Sequence, residues 1–122
     1  MWIWCSATGA LLDAQRQNKA YGYAGRGSGV NNPDLQHVKG IGPLPEAVYV
    51  IAPPRDSDVT GAYSLPLIPQ VGSELYGRSS FAVHGDSHSH PGEASHGCIV
   101  LTRAQREKIW ASDDHVLRVV AI

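Results

Sequence analysis

Breakers divide this chain into short pieces, and that punctuation constrains its fold more than any other feature. Thirteen glycines and eight prolines occur in 122 residues, many of them in tight groups such as Gly25-Arg26-Gly27-Ser28-Gly29 and Gly42-Pro43-Leu44-Pro45. Between the groups stand short β-prone runs, Ala47-Val48-Tyr49-Val50-Ile51 being the strongest. Apolar residues make up 43% of the chain, so the punctuation marks turns between strands and not disorder.

In chain order, Trp2-Ile3-Trp4, the turn Ser6-Ala7-Thr8-Gly9 and Ala10-Leu11-Leu12 predict an opening β-hairpin. Tyr21-Gly22-Tyr23 predicts a strand beside it. Gly25 to Pro33 reads as a long loop. It is not a phosphate cradle, because no Lys-Ser/Thr and no helix follows. Further strands are predicted at 47–51, at 63–68 with Pro66 demoting that run to an edge or bulge, at 81–83, 99–101 and 116–120. Thr102-Arg103-Ala104-Gln105 has the form of a capping box, predicting one helix over Arg103–Ala111 with Trp110 on its buried side. The expectation is one domain over residues 1–122, all-β in class, a sandwich or barrel of short strands with a single short helix.

A net charge of −1 and a pI near 6.6 give no footprint for nucleic acid. No run approaches the roughly 20 apolar residues of a spanning helix, so no membrane insertion is expected. The N-terminus lacks a basic region and Asp13 and Arg16 interrupt its apolar stretch, so no secretory signal is expected. Two cysteines make no disulfide framework, although a single Cys5–Cys98 bridge stays open.

The chemistry concentrates in Phe81–Leu101, which holds four of the six histidines and Cys98. Two strand ends there bring His84 and Cys98 together across a loop. A histidine beside a cysteine can take the thiol proton and return it to a leaving amine. Gly97 lets the backbone come close, and the amides around Gly97 and Cys98 suit a developing oxyanion. Two other readings stay open: a buried structural cysteine, and a zinc site from His84, His88, His90, His96 and Cys98. Alkylation separates the first pair, since an activated Cys98 would react with iodoacetamide well below pH 8. Asp86 is a possible carboxylate partner of His84, though a loop acceptor fits its spacing better. Arg78 could bind a carboxylate, a task its guanidinium suits, or simply serve a turn. His88 and His90 read as loop residues that could border a groove, and Tyr49 is a further substrate-binding candidate. His37 and His115 read as surface or strand-end histidines. Trp2 and Trp4 read as core, with an aromatic glycan platform as the alternative.

His84-Gly85 followed by Ser95-His96-Gly97-Cys98-Ile99 resembles the signature of the L,D-transpeptidase catalytic domain. Tyr21-Gly22-Tyr23-Ala24-Gly25, Asn31-Asn32-Pro33, Gly42-Pro43-Leu44-Pro45, Gly77-Arg78-Ser79, His84-Gly85-Asp86-Ser87 and Trp110 to His115 are similar to the small branch of that family formed by type VI secretion effectors. The resemblance implies Cys98 as nucleophile and His84 as general base, its ring oriented by the Gly85 carbonyl. It implies His96 as a support near the nucleophile, with Ser95 and Gly97 shaping the turn. It further implies peptidoglycan tetrapeptide stems as substrate, with water, a D-amino acid or a neighbouring stem's amine as acceptor, and no metal or organic cofactor. A cognate immunity protein and type VI secretion components are the implied partners. The implied route is synthesis in the cytoplasm and delivery to a rival bacterium's periplasm. Non-catalytic wall-binding or secretion-apparatus modules, and a zinc protein, are the alternatives. Two positions depart from the family: Val100 stands where Arg or Asn is usual, and Ala47 where Gly is usual. A left-handed backbone at Ala47 would be strained.

Overall fold

A computed structural model describes residues 1–122. Its strands are β1 (Trp2–Cys5), β2 (Ala10–Leu12), β3 (Asn18–Tyr21), β4 (Tyr23–Ala24), β5 (Val48–Ile51), β6 (Arg55–Ser57), β7 (Gly61–Pro69), β8 (Phe81–His84), β9 (Ile99–Val100) and β10 (Val116–Val120), with the helix α1 at Arg103–Ala111. The protein is mainly β, as the punctuation predicts. The hydrogen-bonded order is β3-β2-β1-β10-β5-β7-β8-β9-β4, with β6 paired to β7 off this path. The two ends of that path, β3 and β4, are separated in sequence by Gly22 alone. The sheet must therefore curl until its ends meet, which gives the mixed sheet a barrel-like form.

Alternation explains the core. In β1, Trp2 and Trp4 turn inward, and the parallel register with β10 sets them beside Leu117 and Val119. In β10, Val116 and Arg118 face solvent. Trp4, Tyr49, Leu65, Ile99 and Leu117 are among the most deeply buried side chains. Both tryptophans of β1 thus belong to the core, and the glycan-platform alternative falls away. The β1–β2 hairpin forms as predicted, with Trp4 opposite Leu11.

The helix also starts as predicted. Gln105 N–H donates to Thr102 Oγ1 and Thr102 N–H donates to Gln105 Oε1, completing the capping box. Arg106 and Ile109 face inward, and Trp110 is half-buried, stacked on His115 at 4.0 Å. No helix is long and apolar enough to cross a membrane.

Two expectations need correction. Pro66 does not mark an edge, since β7 lies between β5 and β8. Its carbonyl accepts from Ala52 N–H, just past the end of β5, so its missing N–H also faces β5 and costs one bond at the end of that pairing, none towards β8. Tyr21-Gly22-Tyr23 is not one strand: Tyr21 pairs with β2 while Tyr23 pairs with β9. Strand β6 is polar and without alternation, and it exists through its pairing with β7. Ala47 is absent from the positive-φ residues, so it carries no such strain.

Candidate active site

Strands β8 and β9 run parallel, with Val83 beside Ile99 and His84 beside Val100. Carried back by one residue, that register sets Cys98 against Ala82, whose amide lies at the sulfur. Side chains alternate along strands, so His84 and Cys98 share one face as diagonal neighbours. A strand spacing of about 4.8 Å and a rise of about 3.3 Å per residue put their Cα atoms about 8 Å apart. An imidazole and a thiol can meet across that gap.

His84 is buried, and its Nδ1 donates to the Gly85 carbonyl at 2.8 Å. A carbonyl only accepts, so Nδ1 carries the hydrogen and Nε2 carries the lone pair. Burial pulls the His84 pKa below 6.5, against the Gly85 bond that favours the cation. Burial likewise pushes the Cys98 thiol above 9.0, although the Ala82 amide and the Arg78 charge favour the thiolate. The thiol points its hydrogen at the Ser80 carbonyl, with sulfur and oxygen 3.7 Å apart. Both shifts favour the neutral forms of the pair.

The turn carrying Cys98 is organised by one hydroxyl. Ser95 Oγ accepts from Gly25 N–H at 2.9 Å and from Gly97 N–H at 3.0 Å, and donates to the Cys98 carbonyl at 2.6 Å. Gly97 adopts φ +135°, and a Cβ there would come within 2.3 Å of Arg78 Nη2, so the position admits only glycine. Of the two amides expected at an oxyanion, that of Gly97 is thus committed to Ser95. The Cys98 amide donates to no group in the protein.

Arg78 is buried and donates to the carbonyls of Gln36 (2.6 Å), Pro43 (2.8 Å), Gly42 (2.9 Å) and His96 (3.3 Å). The structure therefore places it behind the turn as a pin, with Nη1 and Nη2 on carbonyls, at the back of the opening that also holds Cys98. Tyr49 is 0% exposed and donates to the Pro45 carbonyl at 2.6 Å, so it is a core residue and not a substrate contact. Asp86 does not meet the His84 ring in a hydrogen bond. It accepts from Tyr23 Oη at 2.6 Å and from the amides of Ser87 and Gly92, holding the loop that follows His84. Burial works against its charge, but these donors outweigh that and keep its carboxyl below the usual carboxylate range.

His96 is exposed between two openings. One, of about 560 Å³, is bounded by Arg26, Asp58, His84, Glu93 and His96. The other, of about 300 Å³, is bounded by Lys39, Arg78, Ser80, His96 and Cys98. His88 lies on a third cleft, of about 620 Å³, beyond Gly85. Three residues that sequence reasoning missed join the site. Arg26 donates to His96 Nε2 at 2.7 Å. Arg106 of α1 lies against Gly85 and donates to the carbonyls of Leu101, Tyr63 and Ala62. Ser80, at φ +65°, offers its carbonyl to the thiol. The available signal for Arg26 was its setting inside a glycine cluster.

Both cysteines are free, and Cys5 is buried, so no Cys5–Cys98 bridge forms. No three His, Cys, Asp or Glu side chains converge as a metal-ligand set, which leaves the zinc alternative without its ligands.

No curated protein and no solved structure shows significant similarity to this chain. The model of the Tlde1 domain matches residues 18–122, the span that contains β3 to β10 and both His84 and Cys98. With that match over most of its length, the chain belongs to the Tlde1 domain family, the type VI L,D-transpeptidase effectors.

Proposed function

We propose that this protein is a cysteine-dependent acyltransferase acting on the L-to-D peptide bond before the terminal D-Ala of peptidoglycan tetrapeptide stems. The observation that carries this reading is the pairing of Cys98 and His84 on one face of β8 and β9, with His84 Nδ1 fixed on Gly85 and Nε2 left as the base. Rotation about the Cβ–Sγ bond turns the S–H from Ser80 towards Nε2. The proton moves to Nε2 as sulfur bonds to the carbonyl carbon, so a thiolate is needed only during attack. The unpaired Cys98 amide suits the oxyanion that forms. The C–N bond then breaks, Nε2 returns the proton to the leaving D-Ala amine, and a thioester remains. Water, a free D-amino acid or the amine of another stem attacks it, giving carboxypeptidase, exchange or cross-linking activity.

The whole of residues 1–122 works as one catalytic domain in this reading. Strands β1 and β2 precede the matched span, yet they lie inside the sheet between β3 and β10. Action in a rival's periplasm, delivery by type VI secretion components and neutralisation by an immunity protein follow from the family and are proposed with it.

The test is mass spectrometry of tetrapeptide muropeptides incubated with the protein, with and without a D-amino acid. Loss or replacement of D-Ala is expected, and neither Cys98→Ala nor His84→Ala should support it. Unchanged muropeptides from folded, reduced protein would overturn the reading in favour of a wall-binding module.

A further inference from the structure

Three arginines surround the catalytic turn, and two of them are held by several backbone carbonyls each. Arg78 and Arg106 are buried and donate only to backbone carbonyls. Arg26 differs. It is exposed, takes part in none of the salt bridges, and its single side-chain hydrogen bond is the one to His96. A guanidinium has five N–H donors, so most of its donors remain for a ligand.

Its place is built by the backbone. Gly25 N–H donates to Ser95 Oγ and Arg26 N–H donates to the Ile41 carbonyl at 2.8 Å. A Cβ at Gly25 would overlap Gly29 O at 2.2 Å, and one at Gly29 would overlap Ile41 O at 1.9 Å. The glycines allow this loop to press backbone against backbone onto the 41–42 segment. The Ser95 hydroxyl that anchors the loop also anchors the turn of Cys98. One oxygen atom thus fixes the base of Arg26 relative to the nucleophile.

Around it the opening is otherwise acidic. Asp86 is already committed to Tyr23 and the loop amides, whereas Asp58 and Glu93 are exposed and accept no side-chain or backbone bond. An anionic ligand entering there finds Arg26 as the single arginine or lysine of the opening, and His96 joins it to the neighbouring one, where Cys98 lies with Lys39 and the carbonyl-bound Arg78. A C-terminal residue's carboxylate lies two bonds from the nitrogen of the bond to be cut. The group that reads it must therefore flank the nucleophile, and Arg26, bonded to the residue two before Cys98, does so.

We propose that Arg26 is a specificity-determining residue that binds the free α-carboxylate of the leaving D-amino acid, in the bidentate manner guanidinium favours. This deepens the acyl-transfer reading above and rests on it. The enzyme then selects chain-terminal residues over internal ones, because an internal residue has an amide where Arg26 requires an anion.

The experiment measures kcat/KM of the full chain on a tetrapeptide stem ending in D-Ala as the free acid and on the same stem with a C-terminal amide. The wild type is expected to prefer the acid by about 10- to 100-fold, the range of a charge-assisted hydrogen bond. Arg26→Gln should reduce that preference to about threefold or less, Arg26→Lys should keep part of it, and Lys39→Gln, across the turn, should keep all of it. An equal fall on both substrates in Arg26→Gln, with the preference intact, would show that Arg26 only holds His96 and would overturn the assignment. Loss of the preference in Lys39→Gln instead would also overturn it. Wild-type turnover without preference overturns the carboxylate role alone, whereas no wild-type turnover of either substrate overturns the acyl-transfer reading together with it.

Discussion

The β1–β10–β5 half of the sheet and its β8–β9–β4 end are held by different forces. In the first, strands of four or five residues carry registers such as Trp2–Leu117 and Trp4–Val119, and large apolar side chains fill the space between them. In the second, β9 and β4 have two residues each and share only the pairs Tyr23–Val100 and Ala24–Ile99. There the chain is pinned by side chains reaching to backbone: Ser95, Arg78, Asp86 and Arg106. The difference follows from what each region must do. A regular ladder cannot accommodate Gly97 at φ +135° or Ser80 at φ +65°, and both lie against Cys98. Irregular backbone has to be satisfied by polar side chains instead. Arg78 and Arg106 each do this as buried cations bound to carbonyl oxygens, and burial pulls both below the ordinary arginine pKa.

The comparison predicts that stability and turnover separate by region. The largest stability effect is expected from Trp4→Ala, at a fully buried site of β1. Large-to-small changes of this kind cost about 3–5 kcal/mol. Denaturant titration should show that loss, while turnover per folded molecule stays within about twofold, because Trp4 is paired with Leu11 and Val119 and its indole makes no hydrogen bond to the site. A smaller loss is expected from Ser95→Ala, about 1–3 kcal/mol for the donors and acceptor left unpaired. Its turnover should fall at least tenfold, since the Cys98 turn and the Gly25 loop lose their common anchor. If Ser95→Ala keeps its turnover while Trp4→Ala loses it, the division between the two regions is wrong.

The same division decides what could be read in the sequence. Local signals were legible: the β1–β2 hairpin, the run that became β5, and the capping box at Thr102 and Gln105 all act within a few residues. The His84 and Ser95–Cys98 motif was legible because the parallel pairing of β8 and β9 needs only a loop between them. Partners far apart were not. Arg78 reaches carbonyls 18 to 42 residues away, and Arg26 meets His96 across 70. Glycines 25 and 29 read as loop formers, since the Ile41 carbonyl that requires one of them lies outside the local pattern. Tyr49 could have been placed by parity alone. It shares the inward face of β5 with Ile51, while Val50 faces out.

The finest test of the polar end is the titration of Cys98 itself. With Sγ–H held on the Ser80 carbonyl and burial opposing the charge, the thiol titrates above 9.0. Neutral His84, titrating below 6.5, contributes no positive charge to lower it at neutral pH. Iodoacetamide alkylation of the free protein should accordingly be slow below pH 8 and rise with pH to a midpoint above 9.0. Rapid alkylation well below pH 8 would instead show a thiol already activated at rest. The sign can be checked with His84→Ala. A resting thiolate–imidazolium pair would lose its cation in that variant, and its midpoint would climb by a unit or more, in the way opposite charges shift a pKa. A neutral pair predicts a midpoint moved by only about half a unit or less, although turnover is lost. For the same reason the acid limb of kcat/KM should lie below pH 6.5, because activity is present while His84 is unprotonated and disappears as pH falls through its lowered pKa. An acid limb near or above pH 7 would mean that a group other than buried His84 takes the proton.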